Sequence, residues 1–202
     1  MTEVALAGET PHTPSVIRLL LGKLGISYTE VLEHPGLNAE RKVQAVLLDD
    51  AIGALMVLFP QSQLLDLNRL AELTGRRLTA VPQERLERML GKHNLSLLPG
   101  LPALTSSPCL YEQSLLDQPL LLINSGEPGM LLEIRGEDFK SMLTQASAAH
   151  FGEPLSRIRP NLDRPGDDRE EITQAVQAFT ARRIQQRLEA TIEIPPLADT
   201  AQ

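Results

Sequence analysis

Apolar positions in this chain alternate between helical and strand spacing. Ile17, Leu20, Leu21 and Leu24 fall on one helical face, after Thr13-Pro14 and before Gly25. This predicts a helix with Thr13 as N-cap, Pro14 at its first position and Gly25 past its end. Ile26–Leu32 reads as a strand, broken by His34-Pro35-Gly36. Two short apolar runs, Val43–Leu48 and Ala54–Phe59, flank Asp49-Asp50-Ala51-Ile52-Gly53. They predict a hairpin whose strands are buried on both faces.

Asp66 is placed to cap a helix carrying Leu67, Leu70, Ala71 and Leu73, with Gly75 just beyond it. Arg77–Val81 reads as a strand. Pro82 opens another helix, with Leu86, Met89 and Leu90 inward and Gly91 closing it. Leu95–Ser107 is a Pro- and Gly-rich loop. Cys109–Tyr111 and Leu120–Asn124 read as strands. Ser125-Gly126-Glu127-Pro128-Gly129 is a tight turn, and Met130–Arg135 pairs back across it. A helix is expected from Glu137 to about Ala149. Short strands mixed with helices, without regular βαβ alternation, give an α+β class.

The pattern changes after His150. Gly152–Asp168 holds three prolines and many charges, which reads as a linker. Asp168 and Glu171 form a capping-box start. A C-terminal accessory helix then runs to about Ala190, with Ile172, Val176, Phe179, Ile184 and Leu188 near helical spacing. That stripe needs a partner surface: this domain, a second copy in a homodimer, or a downstream domain.

Composition narrows the classes. The 202 residues are 42% hydrophobic and 22% charged, which excludes wholesale disorder and rod-like chains. Aromatic residues are 3% and there is no Trp, so the core is aliphatic. A single cysteine excludes a disulfide scaffold and a Cys-rich zinc site. The net charge of −7 makes non-specific nucleic-acid binding unfavourable, so any RNA contact needs a local basic patch. Gly75–His93, with five basic residues against Glu84 and Glu87, is a local +3, though a solvated helix face explains it more simply. No export signal and no membrane span is evident, which reads as cytoplasmic.

Chemistry is thinly marked. His12, His34, His93 and His150 show no metal-ligand spacing, so no metal and no cofactor is expected. Cys109 sits in a strand and reads as a structural thiol. No phosphate-binding loop and no nucleophile elbow is present.

Three stretches carry a resemblance. These are Gln63-Leu-Leu-Asp-Leu-Asn-Arg-Leu-Ala-Glu-Leu-Thr-Gly-Arg-Arg-Leu, Pro108-Cys-Leu-Tyr-Glu-Gln-Ser-Leu-Leu, and Leu122-Ile-Asn-Ser-Gly-Glu-Pro-Gly-Met-Leu-Leu-Glu-Ile. Over about residues 13–143 the chain resembles the YbaK/ProX-type aminoacyl-tRNA deacylase (editing) family. The resemblance implies a mixed, partly barrel-like β-sheet flanked by helices. It implies a pocket for the tRNA 3′ end, or for a small amino-acid-like ligand, and hydrolysis of the ester of mischarged tRNA. In that family backbone donors, a placed water and the substrate's ribose hydroxyl carry the chemistry, with a lysine holding the substrate.

Carried over by position, the family lysine falls on Gln44. Lys42, two residues earlier on the same strand face, is the nearest cation, and His34 is a further candidate at the pocket. Gly91 and Pro99 match the family loop, whereas Leu95 and Ser96 stand where glycine is usual. Gly126 and Gly129 match the hairpin turn, beside Asn124 and Ser125. Glu112 replaces the usual Asp. The tail Ile192-Glu-Ile-Pro-Pro-Leu-Ala-Asp-Thr-Ala-Gln202 resembles the opening of an HDOD signalling domain. The implied organisation is an editing-type domain at 1–150, a linker at 151–168, and at 169–202 a connector helix with the start of a further domain. The alternative is a catalytically degenerate, ligand-binding regulatory domain of a larger HDOD-type signalling protein.

Overall fold

A computed structural model describes residues 12–155. The capping box at Asp168, the helix at 169–190 and the HDOD-like tail lie outside the described residues, as does the linker beyond 155. All described residues belong to one unit, Met1–Ile158.

The described residues begin with α1 (Ser15–Leu24) and β1 (Tyr28–Leu32), then the hairpin β2 (Val43–Asp50) and β3 (Gly53–Pro60). Next come β4 (Gln63–Leu65), α2 (Leu67–Thr74), β5 (Thr79–Ala80), α3 (Gln83–Gly91) and the short α4 (Pro102–Thr105). β6 (Cys109–Glu112) leads through a 3-10 turn, Gln113–Asp117, to β7 (Leu120–Asn124) and β8 (Met130–Arg135). α5 (Gly136–Met142), β9 (Ser147–Ala149) and β10 (Gly152–Pro154) are the last elements among the described residues.

The described residues form three sheets, with strand orders β5-β2-β3-β6-β9, β1-β8-β7 and β10-β4. β6 runs parallel to β3, and β9 parallel to β6. The two larger sheets meet at one bridge, Lys42 to Leu122, without closing a barrel. The fold is α+β, as the sequence pattern indicates.

The hairpin is central, which explains its unbroken apolar run. Met56 and Leu58 face one core with Ile17, Val43, Leu121 and Ile123. Leu55, Val57 and Phe59 face a second core with Leu70 and Phe151. A strand covered on both faces has no polar side to alternate with. Its turn is held by Asp50, whose carboxylate accepts from Ile52 and Gly53 N–H.

Local rules held where local groups were the partners. Asp66 accepts from Asn68 N at 2.9 Å and Arg69 N at 3.0 Å, capping α2. Gly25 and Gly75 take left-handed φ of 69° and 66° at their helix ends.

Three expectations are corrected. Thr13 does not cap α1: Pro14 is the N-cap residue, and the buried Thr13 hydroxyl donates instead to Glu30 Oε1 on β1. The helix expected to reach Ala149 ends at Met142, because Ser147–Ala149 is recruited beside β6 as a strand. The strand at Arg77–Val81 shrinks to Thr79–Ala80.

Order extends past His150 into the Pro-rich stretch. Phe151 is 2% exposed, and β10 pairs with β4. The buried carboxylate of Glu112 anchors this segment. It accepts from Phe151 N at 2.7 Å and Gly152 N at 2.8 Å, and lies 3.0 Å from His150 Nδ1.

Candidate functional site

Lys42 stands one residue before β2, where the two larger sheets meet. Its carbonyl accepts from Gln61 N at 2.8 Å, and Arg41's carbonyl accepts from Leu122 N at 2.8 Å. Arg41 is tied to the same sheet through Leu120 O and Glu133. This double fastening draws Lys42 inward until the residue is 8% exposed. A buried ammonium requires a partner, and Lys42 Nζ pairs with Glu33. Glu33 is fixed in turn, because its N–H donates to Gly129 O at 2.9 Å.

Glu33 and Lys42 line a cleft of about 440 Å³ together with His34, Pro35, Leu37, Ala39 and Gln61. His34 is exposed, and its Nδ1 accepts from Gly36 N at 3.2 Å. That bond orients the ring and leaves the Nε2 edge for other contacts.

The structure thus places Lys42 and His34 in one cleft, with the more exposed Glu33 carboxylate paired to the buried Lys42. Gln44 lies two positions on, half-buried and opposite Phe59, and is not among the lining residues.

The loop residues form a second group. Gly91 is exposed at the end of α3, and Pro99 is buried. Leu95 is 6% exposed and packs against Gly126. Ser96 N and Leu97 N both donate to Gly126 O, at 2.8 and 2.9 Å. Gly126 has φ +99°, a conformation that favours glycine. Asn124 ends β7, and the fully buried Ser125 accepts from Glu127 N at 3.2 Å. None of these residues lines the Lys42 cleft. The link between the groups is the Gly129–Glu33 hydrogen bond.

Sequence reasoning missed Glu33 and Gln61. Glu33 falls between the strand at Ile26–Leu32 and the His34-Pro35-Gly36 break and carries no signal of its own. Gln61 carries no sequence signal, since its place depends on the pairing with Lys42.

The basic segment is partly neutralised. Arg76 makes two bonds to Asp50, at 2.9 and 2.6 Å, and Arg85 pairs with Asp49. The hairpin's two aspartates thereby absorb two of the five cations, leaving the solvated-face reading. Burial pushes the Cys109 thiol up to about 12, so it is no nucleophile at neutral pH. Among the described residues no three metal-ligating side chains converge, and no helix is long and apolar enough to cross a membrane.

The profile of the aminoacyl-tRNA editing domain matches residues 26–142. No curated protein matches the chain. A crystal structure provisionally described as a signal transduction protein from Marinobacter aquaeolei VT8 is 30% identical, with a TM-score of 0.68. The match covers 93% of this chain and 41% of that one, so this chain spans well under half of that relative. A scaffold protein used for epitope backbone grafting is 18% identical with a TM-score of 0.59, over 72% of this chain and 100% of that one. A provisionally described trans-editing enzyme for prolyl-tRNA synthetase is 19% identical with a TM-score of 0.56, over 70% of this chain and 99% of that one. The last two likenesses are likenesses of fold.

Proposed function

The chain belongs to the aminoacyl-tRNA editing domain family, and from that premise we propose that its Lys42 cleft receives the aminoacyl 3′ end of a mischarged tRNA and hydrolyses the ester. The observation that carries this reading is Lys42 itself, a buried cation held at a sheet junction inside an open cleft. Water attacks the ester carbonyl carbon, the bond to the ribose oxygen breaks, and that oxygen takes a proton. The products are a free amino acid and tRNA. Lys42 stabilises the negative charge that develops on the carbonyl oxygen. The residue that supplies the cation is then Lys42 rather than Gln44. A cytoplasmic setting, where charged tRNA is present, fits this role.

A second reading has its own support. Leu95 fills the space beside Gly126, and the Ser96 and Leu97 amides are already engaged by Gly126 O. Donors so engaged are not free to bind an oxyanion. The likeness to a longer protein described as acting in signal transduction points the same way. In this reading the domain binds an aminoacyl-like ligand without turnover and regulates a following module, of which the HDOD-like tail is the start. The expected domain order, with a linker and a connector helix after the editing domain, belongs to this reading.

Deacylation of a panel of mischarged tRNAs, including Ala- and Cys-charged tRNAPro, separates the two. Turnover that is lost in Lys42→Ala supports the enzyme. Tight binding of the same tRNAs without release of amino acid supports the regulatory module.

A further inference from the structure

We infer that Glu33 receives the α-ammonium of the esterified amino acid, which makes the cleft selective for aminoacyl ends whose amino group is free. The inference rests on the reading of Lys42 as the group that faces the ester. Glu33 and Lys42 carry opposite charges, contact each other and line the same cleft. In an aminoacyl ester the α-nitrogen and the carbonyl oxygen lie roughly 3 Å apart by ordinary bond lengths. A carboxylate and an ammonium side by side offer one partner to each end of that unit. With the cleft empty, the two satisfy each other.

Exposure sets the order of contact. The Glu33 side chain is 37% exposed and that of Lys42 10%. A ligand entering from solvent meets the carboxylate first and the ammonium deeper, so its amino group lies outward and its carbonyl inward. Among the described residues that line the cleft, Glu33 is the single acidic side chain. Its backbone is held by Gly129 O, so the carboxylate is presented from a fixed point rather than a mobile loop. An N-acylated amino acid brings no charge and keeps a single amide N–H where the free amine has an ammonium. Its recognition exchanges a charge-assisted hydrogen bond for a neutral one.

The test uses stable 3′-aminoacylamino-3′-deoxyadenosines and their N-acetyl counterparts for binding by calorimetry. The matching aminoacyl- and N-acetylaminoacyl-tRNAs serve for hydrolysis. Wild-type protein is expected to favour the free amines by about ten-fold or more in both assays, the scale of one charged hydrogen bond. In Glu33→Gln that ratio is expected to fall to within about two-fold, whereas Lys42→Ala lowers both members of each pair together. Equal hydrolysis of free and acetylated tRNAs by wild-type protein overturns the role of Glu33 and leaves that of Lys42 standing. Preferential binding of free amines without hydrolysis upholds Glu33 and overturns the deacylase reading. Failure of every analogue to bind overturns both. The wild-type comparison needs no substitution, so a misfolded variant does not decide the matter.

Discussion

Leu95 occupies the space that a side chain on Gly126 would need: a Cβ at Gly126 would lie 2.6 Å from Leu95 Cδ2. The two segments are joined twice more through Gly126 O, by Ser96 N and Leu97 N. The loop after α3 and the β7–β8 turn therefore form one packed unit.

Leu95→Ala is expected to destabilise the domain by about 2–4 kcal/mol, through lost transfer energy and a residual cavity. Gly126→Ala is expected to destabilise it through both the contact with Leu95 and the left-handed φ. Combining the two should cost less than their sum by about 1 kcal/mol, because the smaller residue vacates the space the new methyl needs. Urea unfolding of the four proteins measures this. Strict additivity would mean that the two positions do not compete.

Lys42→Ala should reduce deacylation by roughly 10- to 100-fold, corresponding to a charged hydrogen bond of about 1.5–3 kcal/mol. Adding Gln44→Lys to that variant should not restore it, since Gln44 is not among the residues that line the cleft. Single-turnover rates on a responsive tRNA give the answer. Restoration by the second change would move the site to the other end of this short segment.

Acid should weaken the hairpin in a defined window. The hydrogen bonds from Arg76 hold Asp50 well below its ordinary 3.8, at about 2, with Ile52 and Gly53 N–H adding to the effect. A folded-state value below the unfolded one stabilises the fold above the unfolded value. That contribution is fully present above about pH 4 and is lost as pH falls through about 2. Asp50→Asn should flatten the pH dependence of the denaturation midpoint over that interval. An unchanged slope would show that the pairing does not discriminate folded from unfolded chains.

Glu112→Ala should free the end of the domain before the rest. It leaves the amides of Phe151 and Gly152 without acceptors, at about 1–3 kcal/mol for each buried donor. Hydrogen exchange at those two amides is expected to accelerate while the β2–β3 ladder keeps its protection. Uniform acceleration throughout would mean that β10 unfolds only with the whole domain.

Cys109 should resist alkylation at pH 8 in the folded protein and react on denaturation. A thiol raised to about 12 is thiolate in only about one molecule in ten thousand at that pH. Iodoacetamide labelling followed by mass measurement reads this directly. Rapid labelling of native protein would show the strand to be open at β6.

The parts of the fold legible in the sequence were those whose partners are close in the chain. Asp66 caps α2 through amides two and three residues on, and the β2–β3 hairpin closes over Ala51-Ile52. The misread parts answer to distant partners. Thr13 has a capping geometry in sequence, but Glu30 takes its hydroxyl. Ser147-Ala-Ala continues a helical pattern, but the free edge of β6 turns it into a strand. The site divides the same way. His34 and Lys42 are visible as residues, while the partner that holds Lys42 at the cleft is not. Neither the bridge to Leu122 nor the pairing with Glu33 has a signature within a few residues of Lys42.

The pairing of β1 with β8 has a consequence for biogenesis. Tyr28–Leu32 aligns with Met130–Ile134, so about a hundred residues separate strands that must meet. On the ribosome the first strand waits, unpaired, until nearly the whole domain has been translated. The β2–β3 pairing at 43–60, by contrast, joins segments that are close in the chain. Glu33 is placed by Gly129 and Lys42 by Leu122, so the Lys42–Glu33 cleft comes into being only with that late closure. The cleft therefore depends on the last pairings the domain can make, and a chain cut short before Leu122 would hold Glu33 and Lys42 without the groups that place them.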